Sequence, residues 1–503
     1  MATSLAGKPA MNILFVTADQ WRAECLSALR HPCLRTPNLD GLAAGGTLFA
    51  RHYAQATPCG PSRASIHTGM YATNHRSVTN GTPLDARHTN IAAEARAAGY
   101  RPVLFGYTDM SVDPRGRALD DPWLRTYEGI YPDFEVVLYL PEAEEAWLAH
   151  LGRQGRTPTL ADVYGGALGE AAPFGPEDSE TAFLTAAFLA WLERLDGEAP
   201  WFAHLSYIKP HPPIVAAAPW HALHHPDEVP PPVRAASAEE ESRLHPWLAA
   251  KLAQPLGASW WGKPASVDEG EIRKAHAVYL GLLAELDHHL GRILEALGAR
   301  GELERTLIVV TSDHGEMLGD HWLLGKDGFF RQAFHVPLIV RDPAPDAIRG
   351  QVVDAFTEHV DLLPTILERI GARVPLQCDG QSLVPWLRGS RPETWRAAAH
   401  YEHDFRDVET RTLETALGVP SERCALAVRQ SERYAYVHFN GLSPLCFDLS
   451  DDPGQLVDIA ADPARAPEVL SQAQGMLSWR MDHAERRLTG CKLTASGVIG
   501  RYE

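Results

Sequence analysis

Five short apolar runs constrain the fold of this 503-residue chain more than any other feature. They are Ile13 to Val16, Val103 to Phe105, Trp201 to Leu205, Leu307 to Val310 and Leu338 to Val340. Between them lie segments such as Glu180 to Leu195 and Ile272 to Leu297, whose apolar residues recur at helical spacing. Short continuous apolar strands separated by helices predict an α/β fold: a mostly parallel central sheet with helices on both faces. In such sheets ligands bind beyond the carboxyl ends of the strands. The residues just past each run are therefore the informative ones. After Val16 come Thr17-Ala18-Asp19-Gln20, and after Phe105 come Gly106-Tyr107-Thr108. After the run near Leu205 come Lys209-Pro210-His211-Pro212-Pro213, and after Val310 come Thr311-Ser312-Asp313-His314-Gly315. Each strand end delivers polar residues to one edge, which is where an active site is expected.

The texture changes beyond about Arg391. We expect a catalytic α/β domain over 1–392 and a smaller α+β C-terminal domain with a tail over 393–503. Ala425 to Phe439 alternates like a strand, Asn440-Gly441 is a hairpin signal, Leu445 to Leu449 reads as the return strand, and a helix is expected from Ala466 to Arg480. The stretch 216–265 is rich in Pro and His and carries Trp220, Trp247, Trp260 and Trp261. It reads as an insertion that roofs the cleft or mediates assembly, or equally as a solvated loop.

The formal charge of −18 excludes non-specific wrapping of nucleic acid. Any anionic substrate must be drawn in by a local cationic site against the global field. Seven widely spaced cysteines with no CxxC pair argue against a disulfide framework and a zinc knuckle. No signal-peptide or membrane-spanning window is visible, so the expectation is a cytoplasmic enzyme.

The sharpest local signal is Cys59-Gly60-Pro61-Ser62-Arg63. Pro61 suits the first turn of a helix. Cys59 then sits at the helix N-terminus, where the dipole favours negative charge, and Arg63 returns near the same face one turn on. An inert buried cysteine beside a surface arginine is an equal reading of these five residues alone. The arginine comes too early for the phosphate loop of cysteine phosphatases.

With its surroundings the motif resembles the formylglycine-dependent sulfatases of the alkaline phosphatase superfamily. The resemblance spans Asn12 to Gln20, Thr36-Pro37-Asn38-Leu39-Asp40, the Cys59 motif and Lys209-Pro210-His211. It continues through Ser312-Asp313-His314-Gly315-Glu316, Gly319-Asp320-His321, Gly325-Lys326, and Asp448-Leu449 with Asp452-Pro453. Asn80 and Gly106-Tyr107-Thr108 resemble most the phosphonate monoester hydrolase branch and its arylsulfatase relatives.

The resemblance implies that Cys59 is oxidised to formylglycine (3-oxoalanine) by a formylglycine-generating enzyme. One hydroxyl of the hydrated aldehyde attacks sulfur or phosphorus, and loss of the second hydroxyl's proton expels the product from the covalent hemiacetal ester. It implies Asp19, Gln20, Asp313 and His314 as ligands of one divalent metal ion. The histidine makes Mn²⁺ competitive with Ca²⁺, with Mg²⁺ a further candidate. Lys326 would bridge substrate and nucleophile, Arg63 would orient the hydrate, and His211 would serve the leaving group as general acid. Asn80, Tyr107 and Thr108 resemble substrate-contacting positions. One departure is Asp109, where that branch tends to carry threonine. An inward carboxylate there would repel a dianion or pair with Lys326; an outward one leaves the role to Thr108. His204 reads as a core histidine, His75 and His321 as structural, and His224-His225 as solvent-facing.

The expected function is therefore hydrolysis of small-molecule sulfate esters (an arylsulfatase) with phosphonate monoester and phosphodiester side activities. Phosphonate monoester or phosphodiester hydrolysis as the main activity is the nearest alternative. A non-catalytic anion-binding protein with unmodified Cys59 is a distant one. A zinc phosphotransferase would need Ser or Thr at position 59. The tail and the insertion suggest a homodimer or homotetramer, with no nucleic-acid or membrane partner.

Overall fold

The computed structural model describes residues 11–500 apart from 142, 154, 156, 157, 198 and 256–266. Among the described residues the main sheet is built from β1 (Asn12–Ala18), β2 (Thr47–Tyr53), β4 (Pro102–Gly106), β5 (Glu135–Tyr139), β6 (Phe202–Tyr207), β7 (Thr306–Ser312), β9 (Leu338–Arg341) and β10 (Gln351–Glu358). They run in the order β10-β2-β9-β7-β1-β6-β4-β5. The two-residue strands β3 (Ala56–Thr57) and β8 (His335–Val336) lie apart from this path, and β8 pairs with β2. β1 pairs in parallel with both β6 and β7, β6 with β4, and β4 with β5. The mostly parallel α/β sheet expected from the apolar runs is what forms. The run Leu338 to Val340 differs in direction: β9 is antiparallel to both β7 and β2. Its apolar residues suit a strand buried on both faces in either direction, so composition leaves the direction open.

Period-two alternation explains the uninterrupted apolar runs. Leu14 and Val16 pack into one hydrophobic layer, with the helices Glu180–Glu193 and Glu269–Ala299. Ile13 and Phe15 pack into the opposite layer, with Ile66 of the helix Cys59–Thr68 and Leu363 of the helix Leu362–Ile370. A strand covered on both faces must be apolar at every position. β2, β5 and β10 escape the sequence reading because their burial is mixed along their length.

A second sheet joins β11 (Ala398–Asp404), β12 (Ala425–Ser431), β13 (Tyr434–Phe439) and β14 (Leu445–Asp448) to β3, in the order β14-β13-β12-β11-β3. The single alternating strand expected over Ala425 to Phe439 is in fact a hairpin. The chain turns at Glu432-Arg433, where Ser431 Oγ accepts from Tyr434 N at 3.0 Å and donates to its carbonyl at 2.8 Å. β3 is the edge strand and pairs in parallel with β11. The backbone two residues before Cys59 is thus clamped by a sheet drawn mainly from the far end of the sequence. The expected C-terminal helix is Ala466–Asp482. An exposed hairpin, β15 (Cys491–Thr494) with β16 (Gly497–Gly500), comes after it.

The described part of the 216–265 stretch does not form a merely solvated loop. The helix Pro246–Leu252 buries Trp247 against Phe329, with ring centroids 5.6 Å apart. Trp260 and Trp261 lie outside the described residues. Among the described residues no helix is long and apolar enough to cross a membrane.

Candidate active site

Four strand ends, those of β1, β4, β6 and β7, and one helix start converge. Cys59 is the first residue of the helix Cys59–Thr68, every residue of which is buried. Asn80 Oδ1 accepts from Gly60 N at 2.9 Å, satisfying one of the amides a helix start leaves free. Position 60 must be small, because a Cβ there would lie 3.1 Å from Asn80 Oδ1 and 3.2 Å from the Asp109 carbonyl. Gly106 ends β4 at φ +104°, and a Cβ would meet the Ser206 carbonyl at 2.1 Å. Only glycine fits where the chain turns to deliver Tyr107.

Lys326 Nζ lies 2.9 Å from Cys59 Sγ and 2.9 Å from Gln20 Oε1. His314 Nε2 is 3.3 Å from the same sulfur. One potential ligand atom from each of Asp19, Cys59, Asp313 and His314 falls within 4.8 Å of all the others. Gln20, two residues beyond the end of β1, has a left-handed conformation, φ +67°. Its backbone N–H donates to Asp313 Oδ1 at 3.1 Å, and its side-chain amide donates to Glu316. That bond turns the amide oxygen toward Lys326. Two carboxylates, an imidazole and an amide oxygen suit a divalent cation of mixed O/N preference, so these residues fit the metal expected of them.

Arg63 is fully buried beneath the sulfur. Its Nε donates to Asp313 Oδ2 at 3.0 Å and its Nη2 to Asp19 Oδ2 at 3.0 Å. Its Nη1 donates to Ser206 Oγ at 2.7 Å and to the Tyr107 carbonyl at 3.2 Å. The Tyr107 ring lies 4.3 Å from the guanidinium carbon, and its hydroxyl donates to Asp19. Arg63 therefore orders the carboxylates more than it reaches outward.

In the chain alone, burial opposes charge at every group here. It pushes the Cys59 thiol well above its ordinary range, with Asp19 adding to the effect and Lys326 opposing it. Burial, then Asp19, pushes Asp313 up to about 7. Burial works against ionised Asp19 too, but the fixed charges of Lys326 and Arg63 help to hold it well below the carboxylate range. Burial and then Lys326 push both His211 and His314 down to about 3, so both imidazoles are neutral. A neutral imidazole is the ligand form.

A cavity of about 770 Å³ opens over this cluster, and Gln20, Asn80, His211 and Lys326 all line it. Lys251, Leu252 and Gln254 of the insertion line it as well, so that stretch walls the cleft. His211 Nδ1 donates to the Pro212 carbonyl at 2.7 Å, which leaves Nε2 to exchange a proton. Thr108 is elsewhere: its hydroxyl donates to the Gly129 carbonyl at 2.9 Å and accepts from Tyr131 N at 3.2 Å, behind the pocket. Asp109 approaches Arg63, 3.7 Å from Nε. His204 packs on Phe15, His75 bonds Ser65, and His321 bonds Glu241.

Three functional groups were missed from sequence. Glu316 fixes the Gln20 amide, and Ser206 holds Arg63. Lys209 pairs with Glu180 at 3.1 Å and donates to the His211 and Pro213 carbonyls at 3.3 and 3.1 Å, fastening the His211 loop. Each acts by fixing another part of the site, so its role is not readable locally, although Lys209 and Glu316 lie within the motifs that carry the resemblance.

Comparison with known proteins identifies the family. A family model described as Sulfatase matches residues 11–372, and one described as N-sulphoglucosamine sulphohydrolase, C-terminal, matches residues 319–481. The chain belongs to the sulfatase family. It lies within the alkaline phosphatase superfamily. It is 40% identical to the multifunctional alkaline phosphatase superfamily protein PehA of Trinickia caryophylli, over 97% of this chain and 99% of that one. It is 26% identical to an arylsulfatase of Clostridium perfringens, over 89% and 90%. Among solved structures, the phosphonate monoester hydrolase of Agrobacterium radiobacter superposes with a TM-score of 0.95 at 43% identity, covering 98% of this chain and 100% of that one. The phosphonate monoester hydrolase of Silicibacter pomeroyi superposes with a TM-score of 0.93 at 40% identity, over 98% of this chain and 100% of that one.

Proposed function

We propose that this chain hydrolyses monoesters of phosphonic and sulfuric acids at Cys59, with phosphonate monoesters the better substrates. The observation that carries the reaction class is Lys326, which lines the cavity with His211 and touches Cys59 Sγ at 2.9 Å beside the Asp19–Asp313–His314 cluster. The order of substrates departs from the expectation from sequence, which put aryl sulfates first. It rests on similarity to phosphonate monoester hydrolases at 40–43% identity against 26% for the arylsulfatase.

Formylglycine at position 59, made by a partner enzyme, would supply a geminal diol as nucleophile and a self-releasing covalent ester. A divalent ion held by Asp19, Gln20, Asp313 and His314 would supply Lewis acidity. The chain's own residues do the rest. Lys326 places its charge against both the group at position 59 and the non-bridging oxygens of the ester, where negative charge develops. His211, which also lines the cavity, takes a proton from solvent and passes it to the leaving oxygen through Nε2. A bound anion raises the pKa of this imidazole, counteracting the burial and the Lys326 charge that depress it in the free chain. Arg63 holds the two carboxylates in register and favours their ionised forms.

Two measurements test this reading. The ratio of kcat/KM for an aryl phosphonate monoester to that for the matching aryl sulfate should exceed one. A ratio well below one restores the arylsulfatase order. Asp313→Asn should lower the affinity for the divalent ion by at least about tenfold, read by elemental analysis after dialysis. Metal content equal to wild type would remove Asp313 from the ligand set.

A further inference from the structure

Three carboxylates share one buried guanidinium. Asp19 and Asp313 each approach Arg63 to 3.0 Å, and Asp109 approaches to 3.7 Å, with all four side chains 2% exposed or less. Lys326, 2.9 Å from Cys59 Sγ, lines the cavity, as does Lys251, whose charge is paired with Asp327. With all three carboxylates ionised, Asp19, Asp109, Asp313, Arg63 and Lys326 together carry one net negative charge. A divalent ion turns that into one net positive charge. A monoanionic ester then brings these five groups and the ion to neutrality, whereas a dianion adds a further negative charge to a buried site that also holds the Glu316 carboxyl.

Asp109 is held in place for this. It adopts a left-handed backbone, φ +48°, which few residues other than Gly, Asn and Asp take up. Its carbonyl lies 3.2 Å from where a side chain on Gly60 would begin, so it is packed against the start of the Cys59 helix. Its charge reaches Cys59, Tyr107 and Arg63, raising the proton affinity of each. Its carboxylate is 2% exposed and turned to Arg63, so it acts on a bound ester through its field.

We propose that Asp109 is a charge filter that favours monoanionic esters over dianionic ones at this site. Sulfate monoesters, phosphonate monoesters and phosphodiesters are monoanions, whereas a phosphate monoester, with a second pKa of about 6, is a dianion at a pH of about 8. The proposal rests on the ester-hydrolase reading above.

The test compares 4-nitrophenyl phosphate with 4-nitrophenyl sulfate at pH 8, using mature, metal-loaded enzyme and the variants Asp109→Asn and Asp109→Glu. Asp109→Asn should raise the phosphate-to-sulfate ratio of kcat/KM by at least about tenfold, equivalent to about 1.4 kcal/mol, and Asp109→Glu should stay near wild type. Equal slowing of both substrates in Asp109→Asn would make the residue a structural support and overturn the proposal. Binding of benzenesulfonate, a monoanion, and phenylphosphonate, a dianion at pH 8.5, gives a readout without turnover. Calorimetry should show Asp109→Asn gaining affinity for the dianion alone. If no ester were cleaved by any form, this binding ratio would still decide the filter, and the hydrolase reading would fail separately. A binding ratio unchanged by the substitution overturns the filter.

Discussion

Cys59→Ala is expected to lower turnover on the order of 10⁴-fold or more while leaving the fold in place. The side chain is 1% exposed and sits where Lys326, His314 and Asp19 converge, so nothing else in the described site can replace it as nucleophile. The loss of stability should stay within about 0.5–3 kcal/mol, the range of an ordinary point substitution, because only one buried sulfur is removed. Circular dichroism and thermal unfolding would check the fold, and turnover of both ester classes would check the chemistry. Activity near wild type in a folded variant would remove the nucleophile assignment. Mass spectrometry of the wild-type peptide ending at Arg63 belongs with this measurement. A lighter peptide that hydrazides trap identifies the aldehyde. Thiol alone in an active preparation would refute the formylglycine route.

Arg63→Met is expected to be the most destabilising single change in the site. The guanidinium is 1% exposed and neutralises Asp19, Asp109 and Asp313, none of which has access to water. Removing one partner of a buried ion pair costs about 3–5 kcal/mol, because the opposite charges are left unpaired. Thermal or denaturant unfolding of the metal-free chains would read this directly. The pH dependence has a definite sign. Without Arg63, the folded-state pKa values of Asp19 and Asp313 rise further above their positions in the wild type, where Asp19 is held low and Asp313 stands at about 7. A carboxyl whose folded pKa exceeds its unfolded value loses stability as pH rises through that window. The deficit of Arg63→Met should therefore be larger at pH 8 than at pH 5. A deficit that is small, or that grows toward pH 5, would show that the guanidinium is not the counter-charge. Arg63→Lys should recover part of the stability but not the geometry, since one ammonium cannot donate to Asp19, Asp313 and Ser206 in a fixed fork.

Much of the site is legible before any coordinates, for a simple physical reason. In a sheet covered on both faces, strands must be apolar throughout, so the first polar residue after each run marks the sheet edge. That rule locates Asp19-Gln20, Tyr107, His211 and Asp313-His314 without knowledge of which strands are neighbours. The helix start at Cys59 is legible from Pro61 and the arginine one turn on. Thr108 shows where the rule ends. It comes directly after Tyr107, yet consecutive residues leaving a strand face opposite ways, and its hydroxyl is taken by Gly129 and Tyr131 behind the pocket.

Local sequence is thus sufficient for the alternation of buried strands and helices, for the sheet edge that carries the chemistry, and for the residue types that meet there. Three other features come from long-range packing. β9 lies antiparallel between β7 and β2, because strand direction depends on where the chain re-enters the sheet and not on side-chain type. Ala56–Thr57 lies beside β11, so that a sheet formed largely by residues beyond 397 positions the backbone leading to Cys59. And Asp109 turns toward Arg63 and not Lys326, a choice made by a left-handed backbone packed against Gly60. Pairings of this kind join residues tens to hundreds of positions apart. Their energies come from burial and from complementary charge at close range, and neither quantity is written in local sequence.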